Sequence, residues 1–134
     1  MIDFHFIETE YIPLDKSKKW LEKVVDNEKK TLGEIVFVIC NDNYLLEKNI
    51  KFLNHSTFTD VITFDYGQGD NISGDILISI DRIKENADIF NVSFLNELNR
   101  VMVHGLLHLL GYKDKTKADS KIMRNKENFY LSIK

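Results

Sequence analysis

The chain has 134 residues, 43% apolar and 29% charged, with a formal net charge of −3. That is the size of one ordinary domain with enough apolar side chains to build a core, which excludes disordered, collagen-like and low-complexity chains. The longest apolar run, Ile35 to Cys40, falls far short of the roughly 18 residues that span a bilayer, and the acidic N-terminal segment lacks the basic region of a secretory leader. The expectation is a single domain over residues 1–134, soluble and cytoplasmic, with no membrane partner.

In chain order, Ile2, Phe4 and Phe6 alternate with Asp3 and His5, which predicts a half-buried strand with His5 on its polar side. Pro13 breaks the chain. Asp15 is placed to cap a helix running to about Lys30, with Trp20, Leu21, Val24 and Val25 as its apolar face and Gly33 just past its stop. The β-branched run Ile35 to Cys40 predicts a central strand, and its lone cysteine a buried thiol. Asn41 or Asp42 caps a helix to about Leu53, with Tyr44, Leu45, Ile50 and Leu53 inward. Val61 to Phe64 reads as a third strand, and the turn residues between Tyr66 and Ser73 suit an antiparallel connection into a strand from Gly74 to Ile80. Asp81 caps a helix to about Phe90, Ser93 a longer one to about Leu110, and a last helix runs from about Thr116 to Leu131, with Ile122, Met123, Phe129 and Tyr130 on or near one face. Strands alternating with helices before a helical end give an α/β domain: a mixed four-stranded sheet flanked by about five helices.

One segment concentrates chemistry. His104 and His108 stand four residues apart on the predicted apolar helix, so their imidazoles point the same way, one turn apart, as two ligands of a single metal must. Gly111 can turn the chain back, and Asp114 can then supply a third ligand from outside the helix, leaving a fourth position for water. Two histidines at this spacing also occur without a metal, but an unpaired imidazole pair would be costly on so apolar a helix. From Lys113 onward seven Lys or Arg face three acids, so this tail carries +4 and the rest of the chain −7. Such a tail suits a solvated helix face, or a basic rim for phosphates where chemistry lies beside it.

The run from His104 to Tyr112 resembles the signature of the YbeY family of bacterial endoribonucleases, or rRNA maturation factors, in which His-Gly-x-Leu-His-Leu-x-Gly-Tyr precedes a third histidine. Thr59-Asp60-Val61-Ile62-Thr63-Phe64 is similar to the family's Thr-Asp-Val-Leu-Ser-Phe, and Gly74-Asp75-Ile76 to its Gly-Asp-Ile strand. Ala87, Glu97, Met123 and Glu127 also fall where the family pattern places such residues. Two positions depart from it: Asp114 stands for the third histidine, and Leu53 for an arginine before the Thr-Asp-Val stretch. The resemblance implies cleavage of single-stranded RNA in rRNA maturation, notably at the 3′ end of the small-subunit 16S RNA, and a role in ribosome quality control. It implies rRNA or the ribosome as substrate, ribosomal or GTPase proteins as partners, and one Zn2+ per chain, with other divalent metals also suited to such ligands. Chemistry would rest on metal-bound water held by His104, His108 and Asp114, with Asp75 and Asp60 as candidates to orient a ligating imidazole. Lys113, Lys115, Lys117 and Arg124 are the candidate RNA contacts, His55 is either a structural loop residue or a further RNA contact, and Tyr112 either stacks on a base or packs over the helix end.

Two other functions fit the ligand spacing. A metzincin-like zinc peptidase shares it, but uses a glutamate beside the first histidine as general base, and here that place is Gly105. The other is a non-catalytic, zinc-stabilised ribosome-assembly factor, which the leucine in place of the family arginine brings into consideration.

Overall fold

Parallel and antiparallel pairing combine in one sheet. The computed structural model describes residues 1–55 and 58–134. In order, the elements are β1 (Ile2–Ile7), α1 (Asp15–Asn27), β2 (Thr31–Cys40), α2 (Asp42–Leu53), β3 (Val61–Asp65), β4 (Asn71–Ser79), α3 (Ile80–Phe90), α4 (Phe94–Leu109) and α5 (Lys117–Ser132). The sheet runs β1-β2-β4-β3; β2 lies parallel to both neighbours, and β3 antiparallel to β4. This is the expected single α/β domain with a mixed four-stranded sheet.

Strand parity divides the core into two unequal layers. Ile35, Phe37 and Ile39 of β2 and Ile76 and Ile78 of β4 join Leu21 and Val24 of α1 and Met102, Leu106 and Leu107 of α4 in the main core. Each such fully buried side chain contributes about 1.5–3 kcal/mol. A smaller layer under α2 holds Cys40, Leu45, Ile62 and Leu77. There burial, with Asp42 and Asp81 nearby, pushes the Cys40 thiol up to about 12, and its Sγ lies 3.4 Å from the Ile78 carbonyl oxygen. Cys40 is thus the protonated core thiol expected of its apolar run. Trp20 and Met123 are also buried, whereas His5 is exposed on the edge strand.

Several local expectations are corrected. Asp15 does not cap α1: Leu14 takes the N-cap position, without a side-chain cap bond, and Asp15 is the first helical residue. That helix ends at Asn27 because Lys29 turns into the left-handed region and β2 begins at Thr31. Gly33 therefore lies inside β2, at a register shift, where a Cβ would meet the Ser73 Oγ and Asn71 Oδ1 atoms. Strand β4 likewise starts at Asn71, before Gly74. Ser79, not Asp81, caps α3, accepting from the Arg82 N–H, while Asp81 accepts from the Asp42 N–H. On α2 the inward row is Leu45 and Asn49. Ile50 stands about 140° around the helix from Leu45, and both it and Leu53 are exposed. On α5 the buried row is Met123, Glu127 and Tyr130, with Ile122 and Phe129 displaced to the solvent side.

Candidate metal centre

Helix α4 is a buried apolar rod with one polar stripe. Ser93 caps it by accepting from the Asn96 N–H at 3.1 Å. Glu97, Arg100, His104 and His108 then recur at helical spacing along one side. Gly105 lets the rod lie tight on the sheet, since a Cβ there would come within 2.7 Å of Ile76 Cγ2. The helix ends in a Schellman turn: the Tyr112 N–H donates to the Leu107 carbonyl, the Gly111 N–H to that of His108, and Gly111 takes φ +104°. A reciprocal capping box between Thr116 and Asp119 starts α5. Asp114 hangs in the short loop between these two fixed ends.

The loop brings Asp114 back over the imidazoles. The two Nε2 atoms lie 3.0 Å apart, and Asp114 Oδ2 lies 3.5 Å from each. Protons decide what this means. His104 Nδ1 faces Glu127 Oε2 at 2.6 Å, and His108 Nδ1 faces the Tyr112 carbonyl at 3.0 Å. Both partners accept, so each neutral ring carries its proton on Nδ1 and turns a bare lone pair inward. In that neutral form two nitrogen lone pairs and a carboxylate oxygen converge with no donor among them. A cation satisfies all three. A tetrahedral ion with bonds of about 2.0–2.1 Å has ligand–ligand edges of about 3.3 Å, close to this spacing.

The support behind His104 is buried and charged. Glu127 is 2% exposed and Glu97 fully buried. Between them Arg100 reaches Glu127 Oε1 at 3.1 Å with one guanidinium nitrogen, and both Glu97 oxygens, at 2.8 and 2.7 Å, with another. Burial alone would push the Glu127 carboxyl up, but the His104 hydrogen bond and the Arg100 guanidinium outweigh it and hold it below the usual carboxylate range. Glu127 thus remains an acceptor for His104. Tyr112 packs at the helix end, its hydroxyl donating to Glu28 at 2.6 Å.

Other candidates lie apart from the trio. Asp75 is corrected as a partner of a ligating imidazole. Its neighbours Gly74 and Ile76 face α4, so parity turns Asp75 to the opposite face of the sheet, where it accepts from the Tyr66 hydroxyl at 3.1 Å. Asp60 precedes β3, and its carbonyl accepts from the Ser79 N–H; both inward-holding positions belong instead to Glu127 and the Tyr112 carbonyl. Lys113, Lys115, Lys117 and Arg124 are all exposed. His55 is exposed and lines a shallow groove with Thr59 and Thr63, and Thr63 also borders Gly105 of α4. Arg100 escaped the sequence reading, although the recurrence of positions 97, 100, 104 and 108 on an apolar helix was its signal.

Fold and site together define a small α/β protein with a His–His–Asp cluster that could hold a metal ion, built on a buried helix. The profile of the family described as Endoribonuclease YbeY matches residues 4–133. A protein of Flavobacterium psychrophilum named Endoribonuclease YbeY is 53% identical over 133 residues, covering 98% of this chain and 91% of that one. Its namesake in Flavobacterium johnsoniae is 50% identical, covering 99% and 96%. The solution structure of TM1509 from Thermotoga maritima superimposes with a TM-score of 0.71 at 29% identity, covering 96% of this chain and 86% of that one. The chain belongs to the YbeY endoribonuclease family. No helix among the described residues is long and apolar enough to cross a membrane.

Proposed function

We propose that this chain is a zinc-dependent endoribonuclease that cuts single-stranded RNA, acting on the 3′ end of small-subunit rRNA and in ribosome quality control in the cytoplasm. Family membership supports the reaction class. The observation that carries the reading is the convergence of His104, His108 and Asp114, whose donor atoms lie within 4.8 Å of one another. Two imidazoles and a carboxylate are a catalytic zinc set, although nickel or iron would also accept them.

A zinc ion held there would supply Lewis acidity at the phosphoryl group and an activated water. The chain's own residues do the rest. Glu127 and the Tyr112 carbonyl keep the ring protons on Nδ1, fixing both Nε2 lone pairs inward. Asp114, with 44% of its side chain exposed, leaves the centre open to a strand from solvent. Lys113, Lys115, Lys117 and Arg124 attract the backbone phosphates, and His55 contacts the strand from the groove beside Thr63. A peptidase reading lacks its base: the space beside Gly105 is filled by Ile76 and Thr63, so no glutamate fits there.

The test is incubation of metal-loaded protein with single-stranded RNA and with casein. RNA should be cut, casein left intact, and cutting lost in His108→Ala. Intact RNA together with casein cleavage that His108→Ala abolishes would overturn the proposal.

A further inference from the structure

Away from the metal centre, a groove of about 320 Å³ opens between α1, the N-terminal half of α4 and the chain end after α5. Trp20, Leu95 and Ile133 give it an apolar floor, and the buried pair Ser17 and Asn99 a polar one. Four lysines rim it: Lys16, Lys19, Lys23 and Lys134. No Asp or Glu side chain lines it, and none of the four ammonium groups makes an ion pair among the described residues. Lys134 instead lies over the Trp20 ring, 5.9 Å from its centroid.

This is an unusual use of charge in a chain with 21 acids and a net charge of −3. Four cations around one concavity repel one another. Lys16 also sits in the first turn of α1, where the helix dipole disfavours a positive charge by about 0.3–1 kcal/mol. Neither arrangement stabilises the fold, so the complement of this rim is an anion. Position indicates which one. Helix α5 starts beside Asp114 and ends at the groove, spanning about 24 Å over its 16 residues. Exposed Lys117, Lys121 and Arg124 stand along its first half.

We infer that the groove is a second, electrostatic binding site for the phosphate backbone of single-stranded RNA, engaging nucleotides that flank the cut. This inference rests on the endoribonuclease reading above. The contact is to phosphates and not to bases, because Trp20 is 5% exposed and its indole N–H donates inward to the Tyr130 carbonyl. Binding there is therefore tolerant of sequence and sensitive to salt.

Fluorescence anisotropy with an unstructured 2′-O-methyl oligonucleotide of about 20 nucleotides tests it. The full wild-type chain is compared with the triple variant Lys16→Gln, Lys19→Gln, Lys23→Gln. Affinity should fall about 10-fold or more, and the slope of log K against log salt should lessen by about 2, since each phosphate contact on a single strand contributes about 0.7. Cleavage of an RNA too short to leave the metal centre should be unchanged. If the triple variant misfolds by circular dichroism, Lys19→Gln alone should lessen the slope by about 0.7. Unchanged affinity and slope would overturn the inference. So would a labelled oligoglutamate peptide that binds the wild type in a lysine-dependent way while RNA does not compete. Wild-type protein that cuts RNA while the variant binds as tightly defeats only the groove; wild type that neither binds nor cuts RNA defeats the parent reading.

Discussion

The His–His–Asp cluster and the lysine groove handle charge in opposite ways. At the centre every buried charge has a partner: Glu97 with Arg100, Arg100 with Glu127, Glu127 with His104. Around the groove four exposed lysines stand without an ion pair among the described residues. Buried charge is costly unless fully compensated, so the first region is rigid, and removing one member leaves another stranded. Surface charge is solvated and screened, so the second region spreads its effect thinly. The comparison predicts large single-site effects at the centre and small, salt-dependent ones at the rim.

Arg100→Met tests the upper end. It strands two buried carboxylates, and unfolding in urea should show a loss of about 3–5 kcal/mol. A loss under about 1 kcal/mol would place this chain of charges with ordinary surface pairs. Next comes Glu127→Gln, which keeps the shape but removes the anion behind His104. Zinc affinity, read by competition with a chelating dye, should weaken about 10–100-fold; unchanged affinity would show that His104 needs no such partner.

Gly105→Ala probes the packing that seats the helix. Helix propensity alone favours alanine by about 1 kcal/mol, while the contact with Ile76 is worth a penalty of about 1–3 kcal/mol. A lower melting temperature is expected, and a higher one would mean that the sheet gives way. The smallest effect falls on Glu28, a part-buried carboxylate between the two regions. Burial pushes its pKa up, but hydrogen bonds from Tyr112, Tyr130 and Lys126 outweigh this and hold it below the usual value. A lowered folded pKa stabilises fully above the unfolded value of about 4.3 and ceases to do so as pH falls through the folded one. Glu28→Gln should therefore cost most near neutral pH and progressively less below about pH 4. A cost independent of pH would contradict that assignment.

Much of the fold and of the site is legible in the sequence. The order of strands and helices followed from apolar periods, and His104 and His108 were visible because helical spacing is itself geometry. Asp114 followed from Gly111, a residue whose backbone freedom announces a turn. Glu127 was different: 23 residues separate it from His104, and only the packing of α5 on α4 joins them. Asp75 was misjudged because period two shows that neighbours face opposite ways without saying which face carries the site. The inward row of α2 was misread because half-exposed Ile50 and Leu53 are as apolar as buried Leu45. Long-range pairing and the choice of face are tertiary facts.

The central claim is that His104, His108 and Asp114 hold one ion on which RNA cleavage depends. Titrating zinc into chelator-stripped protein while following cleavage of single-stranded RNA tests it most directly. Activity should be absent at the start, rise with added zinc and level off at one equivalent per chain, with Asp114→Ala needing far more. Full cleavage by the stripped protein, or equal restoration in Asp114→Ala, would contradict the account.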